Sequence, residues 1–502
     1  MKLEEHLEKH FNYTTFRPGQ KEVITSILDG NHTIAMLPTG TGKSLCYQLS
    51  GYLLSGQVII ISPLISLMQD QTEQLMMNGE KRVIALNSFL TPQEKNYVLS
   101  KLAMYKFIFL SPEMLRSDII LNRLKELQIA LFVIDEAHCI SQWGYDFRPD
   151  YLKLGDFREK LGNPLTLALT ATATQEVKDE LIASLNLIRW NEFIYSVDRP
   201  NISMSVELIA SYQDKSSRLV ELVQKLKGPG IIYFSSKKMA EKMAIYLREN
   251  GIDRVMTYHG GMEQENRVLI QQQFLHGQLH VICATSAFGM GINKENIRYV
   301  IHYHMPLQLE SYLQEIGRAG RDGRKSIAIL LYAEGDEQLP FQLAEGELPS
   351  EAQLDFVYRL LEENNYTVND LDKIESELRK LSGLTDTQWR LVAEYLIDRE
   401  NEPLLRSYVQ LKAFINERLQ VKRKKIFEML TWTQVQFNEC RRKNILKYFR
   451  EDKTIEIEDC CNHCGIDMTA FYVNVKDHKM EVDLFDWRKY LAKILLISER
   501  DG

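Results

Sequence analysis

Across residues 30–335 short apolar runs alternate with stretches whose hydrophobic residues recur at helical spacing. Five runs read as strands in the first half: Thr33–Leu37, Val58–Ile61, Phe107–Leu110, Leu131–Ile134 and Leu165–Leu169. Five more follow, at Ile231–Phe234, Val255–Tyr258, Val281–Ala284, Tyr299–His302 and Ile327–Leu331. Most are nearly unbroken in Val, Ile, Leu and Phe, the pattern of strands covered on both faces. Two such series predict an α/β architecture of two parallel-sheet domains joined near Arg199–Pro200–Asn201. Active groups then belong at the C-terminal ends of the strands.

Beyond these series the pattern changes. Residues 337–410 place Leu, Tyr and Ile at helix-like spacing on an acidic background, and 411–450 read as two basic amphipathic helices around a turn. A chain of 502 residues has room for these parts as three or four domains.

The net charge of −7 by itself disfavours a polyanionic partner. Its distribution alters that reading. Glu334 to Arg406 holds 18 acidic and 7 basic residues, a local −11, so the remainder carries about +4. Lys422 to Arg450 holds nine basic and two acidic residues, a basic patch inside an acidic average. The opening MKLEEHLEKHF is an acidic amphipathic helix and not a secretory signal. No apolar run reaches the ~18 residues of a membrane span. Cys46, Cys139 and Cys283 sit in or beside apolar segments, as reduced thiols of a cytoplasmic protein do.

The chemistry concentrates at strand ends. Leu37 to Ser44, LPTGTGKS, follows a strand and opens a helix. Gly40 and Gly42 let the backbone of Thr39, Gly40, Thr41 and Gly42 curl around phosphate. Lys43 supplies charge near the β and γ phosphates of ATP, and Ser44 offers a Mg2+ ligand. Asp135 and Glu136 end another apolar run; the first would hold the metal and the second would orient and deprotonate a water. Taken alone, the pair could equally cap a helix. His138 is open between a core and a site role. A loop with Trp143, Tyr145, Phe147 and Arg148 follows within a dozen residues and suits stacking on exposed bases. Arg318 and Arg321 lie one helical turn apart among glycines. Facing the nucleotide, Arg321 could act as a finger worth ~10³–10⁵ in rate.

These motifs carry a resemblance. FRPGQ at 16–20, LPTGTGKS at 37–44, SPLISLMQDQ at 62–71, DEAH at 135–138 and TATAT at 170–174 resemble a superfamily 2 helicase of the RecQ type. IIYFSS at 231–236, YHGGM at 258–262, ATSAFGMGINK at 284–294 and QEIGRAGRDG at 314–323 continue it. The similarity covers 7–333 and 411–467, and the length resembles the short RecS-type members. The resemblance implies two RecA-like lobes at 1–200 and 201–336. It implies adenine recognition by Arg17 and Gln20 with Tyr13 stacking nearby. Trp143, Phe147 and Arg148 would sense single-stranded DNA. Lys43, Asp135, Glu136, Arg318 and Arg321 would be the catalytic set. It further implies 3′ to 5′ unwinding of tailed duplex DNA in repair and recombination, with single-strand-binding or repair proteins as partners, in the cytoplasm at the nucleoid.

The chain also departs from the family pattern. Tyr145 stands where many relatives have histidine. Only 35 residues follow Asp467, too few for a full-size winged helix. The acidic 337–410 stretch reads as a helical insertion, an intramolecular brace or a protein-docking surface, and its charge argues against contact with DNA. Cys461 and Cys464 have the spacing of a zinc knuckle. In the RecQ pattern four cysteines bind Zn2+, and the last would fall at Asp467. The expected set is thus Cys440, Cys461, Cys464 and Asp467, with Cys460 or His463 able to replace one. A basic helical zinc-binding module at 411–470 and a C-terminal tail at 471–502 complete the division. Lys422–Lys425 and Arg441–Lys443 would line a DNA backbone platform on that module. Two other activities share parts of this text: an RNA helicase, and an ATP-gated DNA clamp or remodelling scaffold without net unwinding.

Overall fold

The computed structural model describes residues 2–87, 90–141, 149–289, 294–434, 439–453 and 455–473. Internal contacts divide the chain into two units, Met1–His304 with Glu310–Ala333 and Val435–Gly502, and Met305–Leu309 with Glu334–Gln434.

The first unit contains two parallel sheets. One is built from β1 (Thr33–Met36), β2 (Gln57–Ile61), β3 (Val83–Leu86), β4 (Phe107–Leu110), β5 (Ile129–Ile134), β6 (Thr166–Thr170) and β7 (Asn191–Ile194), in the order β3-β4-β2-β5-β6-β1-β7. The other comprises β8 (Ile202–Ile209), β9 (Gly230–Tyr233), β10 (Val255–Tyr258), β11 (Val281–Ala284), β12 (Tyr299–His302) and β13 (Ser326–Ala333), in the order β10-β11-β9-β12-β13-β8. Because side chains alternate along a strand, each run feeds both faces. Ile59, Ile61, Ile108, Leu110, Phe132 and Ile134 join one buried cluster. Val58, Ile60, Phe107, Phe109, Leu131 and Val133 join the other. That double burial explains why the sequence shows unbroken apolar runs.

All ten expected strands are present. Three more, β3, β7 and β8, were not marked by their sequence. β7, NEFI, is an edge strand, half-exposed or exposed throughout. β8, ISMSVELI, has polar residues alternating with apolar ones and is also an edge. The Arg199–Pro200–Asn201 junction lies between β7 and β8.

The second unit is helical, with helices Gln338–Gly346, Glu351–Glu363, Leu371–Ser382, Asp386–Ile397 and Leu404–Gln434. Leu354, Val357, Leu361, Leu378, Trp389, Val392 and Leu411 form its own core. Ser350 and Thr385 cap two of the helices, each in a capping box with a glutamine. The division expected at 410/411 is corrected here, since that position falls inside one 31-residue helix. Pairing explains the difference: Arg423 is 2.6 Å from Glu345, and Lys422 pairs with Glu347, so basic and acidic stretches neutralise each other within one bundle. Lys422 and Arg423 are thus ion-paired within the bundle.

Candidate active site

The phosphate loop leaves β1 with Gly40 at φ +87° and Gly42 at φ +74°, backbone that a side chain would strain. Thr41 Oγ1 donates to Pro38 O at 2.7 Å, closing the loop on itself. Helix Ser44–Leu53 starts immediately after Lys43, so the positive end of its dipole faces the loop. Gln20 is buried; its Nε2 donates to Thr41 O at 2.7 Å and Gly42 O at 3.1 Å, and its Oε1 accepts from Arg17 N at 2.9 Å. Arg17 donates to Gly40 O and forms an ion pair with Glu295 at 3.1 Å. Beside them opens a cleft of about 610 Å³, lined by Tyr13, Arg17, Gln20, Ser44, Gln48 and Glu295 among others. A nucleoside fits such a volume.

Asp135 and Glu136 follow β5 directly. Asp135 N donates to Ile61 O at 2.9 Å, which carries the sheet one residue further. Glu136 then turns into the left-handed region at φ +46°, ψ +49°, a conformation glutamate seldom adopts outside functional turns. Burial and the neighbouring Glu136 push the Asp135 carboxyl up to about 7, with Lys43 drawing it down. Glu136 Oε2 is buried and has no hydrogen-bond partner among the described residues. A hard-oxygen set of Ser44 hydroxyl and Asp135 carboxylate, beside an orphaned carboxylate oxygen, suits magnesium with a water. His138 Nδ1 lies 2.9 Å from Thr170 Oγ1 and 3.5 Å from Glu136 Oε2. It is thus a link between the acids and the TATAT segment, a role that spacing could not decide.

The second sheet sends QEIGRAGRDG to the same loop. A Cβ on Gly317 would lie 1.7 Å from Thr39 Oγ1, so the two segments touch backbone to side chain. Arg318 is buried and donates to Gly289 O. Arg321 stands over the phosphate loop, its Cγ 3.0 Å from where a Gly40 Cβ would be. Burial, then repulsion from Arg318 and Arg199, pushes Arg321 down to about 9. Sequence reading missed Arg199 as a site residue; the structure has it donating to carbonyls on both sides. The only sequence signal was its position at the junction between the two strand series. At a second meeting point, Asp70 accepts from Gln271 at 2.7 Å and Gln69 from Gln264 at 2.9 Å. Trp143, Tyr145, Phe147 and Arg148 lie outside the described residues.

The cysteines converge separately. Cys440, Cys460, Cys461 and Cys464 have their Sγ atoms all within 4.8 Å of one another. Cys440 lies 3.7 Å from Cys460 and 3.9 Å from Cys461, and Cys461 lies 3.7 Å from Cys464. Four thiolates at ~2.3 Å around a tetrahedral ion stand about 3.8 Å apart, whereas a disulfide requires ~2.05 Å. The expected Asp467 is not in the group. Its Oδ1 accepts from Thr469 N at 3.0 Å and Thr469 Oγ1 at 2.6 Å, capping a short turn. Cys460 takes the fourth place, because Cys460 and Cys461 run alongside β8, with Met204 N donating to Cys460 O at 3.2 Å. Arg441 and Arg442 are likewise turned inward rather than onto a platform. Arg441 donates to Asn462 Oδ1 at 2.6 Å, and Arg442 pairs with Asp198.

A phosphate loop, a DEAH turn and two arginines from a second parallel sheet define a nucleotide-driven helicase core. Family models agree: the DEAD/DEAH box helicase model matches residues 17–180, and the helicase conserved C-terminal domain matches 214–323. The chain is 45% identical over 504 residues to the probable ATP-dependent DNA helicase RecS of Bacillus subtilis, covering 99% of this chain and 98% of that one. It is 42% identical to the ATP-dependent DNA helicase RecQ of Haemophilus influenzae over 66% of this chain and 53% of that one. The chain belongs to the RecQ family of ATP-dependent DNA helicases and resembles its short RecS-type members. The fold alone is shared with the DEAD-box helicase Mss116 bound to single-stranded RNA and UDP-BeF, with a TM-score of 0.57, 17% identity and 90% of each chain covered.

Proposed function

We propose that this chain hydrolyses ATP between its two parallel-sheet lobes and uses the cycle to move 3′ to 5′ along single-stranded DNA, unwinding tailed duplexes in repair and recombination. The observation that carries this reading is the convergence on one phosphate loop, which carries Lys43, of the Asp135–Glu136 pair from one lobe and Arg321 from the other. Polarity and the repair role rest on the family resemblance, as do a cytoplasmic, nucleoid-associated site and single-strand-binding or repair proteins as partners.

In this reading Tyr13, Arg17 and Gln20 hold the adenine end in the adjoining cleft. The backbone of Thr39, Gly40, Thr41 and Gly42 cradles the phosphates, with Lys43 against the β and γ groups. Ser44 and Asp135 would hold magnesium, which neutralises charge on those oxygens when bound. Glu136 takes a proton from the attacking water as the γ phosphorus–oxygen bond to ADP breaks. Arg321 meets the charge that then spreads over the γ oxygens. Trp143, Phe147 and Arg148 would report an occupying strand to Asp135 and Glu136.

The test is ATP turnover with single-stranded DNA, with RNA and with neither, alongside unwinding of 3′- and 5′-tailed duplexes. DNA should stimulate turnover most, and only the 3′-tailed duplex should open. Equal rates with and without polymer would overturn the reading. Hydrolysis without strand separation would favour a DNA clamp, and preferential stimulation by RNA an RNA helicase.

Cys440, Cys460, Cys461 and Cys464 would hold zinc. Every valence then goes to protein, so the ion supplies folding stability and no nucleophile. Purified protein is expected to carry one zinc per chain. Cys460→Ser should lose the metal and lower the melting temperature, while Asp467→Asn should keep it. Metal retention in Cys460→Ser with loss in Asp467→Asn would reverse the assignment.

A further inference from the structure

Arg199 is half-buried at the junction between the two sheets, and its guanidinium reaches four backbone carbonyls. Nη1 donates to Thr39 O at 2.7 Å and Gly317 O at 3.0 Å; Nη2 donates to Ala319 O at 3.1 Å and Gly320 O at 2.8 Å. One acceptor belongs to the phosphate loop and three to the segment that carries Arg318 and Arg321. The guanidinium is a rigid planar fork, so bonds to both segments set their separation as well as joining them.

Arg199 is itself held from the cysteine-rich module. Arg442, two residues past Cys440, is fully buried. Its Nη1 pairs with Asp198 and donates to Arg199 O at 3.0 Å, and its Nη2 donates to Ile202 O at 2.5 Å. Glu451, just beyond the helix Arg441–Tyr448 that carries Arg442, accepts from Val197 N at 3.2 Å and from Ser196. The space among Val197, Asp198, Arg199, Leu313 and Arg442 is only about 10 Å³, room for one water at most. The junction is therefore gripped on four consecutive residues, Ser196 to Arg199.

We propose that Arg199 is a positioning residue for hydrolysis. It sets the distance from the phosphate loop to the Arg318–Arg321 segment, and Arg442 transmits the state of the cysteine-rich module to it. The proposal rests on the reading that this cleft hydrolyses ATP. The bonds described for Arg199 go to backbone carbonyls. The adenine cleft is built by other residues. Loss of Arg199 should then affect the transition state, where Arg321 must meet developing charge, and spare substrate binding.

The test uses the full chain and the variants Arg199→Lys, Arg442→Lys and their double, read as kcat and KM for ATP at saturating single-stranded DNA, with melting temperature and zinc content measured beside them. Lysine keeps the charge and loses the fork. Arg199→Lys should lower kcat about tenfold with KM nearly unchanged. Arg442→Lys should lower kcat less and retain zinc. The double should be no worse than Arg199→Lys alone, since both act through one contact. Wild-type kcat in Arg199→Lys, or a raised KM with kcat intact, would overturn the proposal. Additive losses in the double would remove Arg442 from it. A wild-type chain whose turnover ignores DNA would instead sink the functional reading itself.

Discussion

Glutamine at position 136 is expected to lower DNA-stimulated ATP turnover by about 10²–10⁴-fold, the usual worth of a positioned general base. Nucleotide affinity should stay within about twofold, because the residue acts on the water and not on the ground-state phosphates. The substitution is close to isosteric, so the left-handed backbone at φ +46° is kept, and the amide cannot accept the proton. The adjacent acid makes a control of a different kind. Asp135→Asn should weaken magnesium-dependent nucleotide binding as well, since in the proposed reading its carboxylate holds the metal. Steady-state turnover alone would mix a loss of binding with a loss of chemistry. Nucleotide binding by fluorescence, paired with single-turnover hydrolysis, separates them. If Glu136→Gln hydrolysed ATP at the wild-type rate, the buried Oε2 would not be the base.

What the sequence disclosed follows from how many constraints act on a residue. Strands covered on both faces must be apolar at every position, so the runs at Val58–Ile61 and Leu131–Ile134 announced themselves. Edge strands have one free side, and β7 and β8 tolerate Asn, Glu and Ser, which hid them. The phosphate loop was legible because glycine at 40 and 42 answers a backbone need that no other residue meets cheaply. Gln20 was legible by resemblance as an adenine contact, yet in the structure its amide braces the loop carbonyls of Thr41 and Gly42. Such a role depends on a tertiary neighbour and leaves no periodic trace. The fourth sulfur failed for a related reason. The RecQ pattern pointed to position 467, but Cys460 is brought in by its pairing along β8, a partner more than 250 residues distant in sequence that no local pattern encodes. Helix Leu404–Gln434 was cut at 410 because the charge changes sign there while the apolar stripe does not.

Arg321→Ala should lower DNA-stimulated turnover by about 10³–10⁵-fold, the range for an arginine that meets charge on a transferring phosphoryl group. The structure gives the reason for so large an effect. Arg321 sits against Gly40, close enough that burial and the positive charge of Arg318 and Arg199 push it down to about 9. A cation held at that cost is poised for an anion, and the loop beneath it is shaped for phosphate. Arg318 lies three residues earlier, past the end of the helix Leu309–Ile316, and is tied to the carbonyl of Gly289, so its loss should act mainly through the placement of that carbonyl. The two can be told apart. Arg321→Lys restores charge without the planar fork and should recover part of the rate, whereas Arg318→Lys should behave as a destabilised chain with a lower melting temperature. Pre-steady-state hydrolysis at saturating ATP is the measurement. An Arg321→Ala chain that binds nucleotide poorly yet hydrolyses what it binds at full speed would make this arginine a ground-state anchor, and the second lobe would then contribute to affinity instead of to the chemical step.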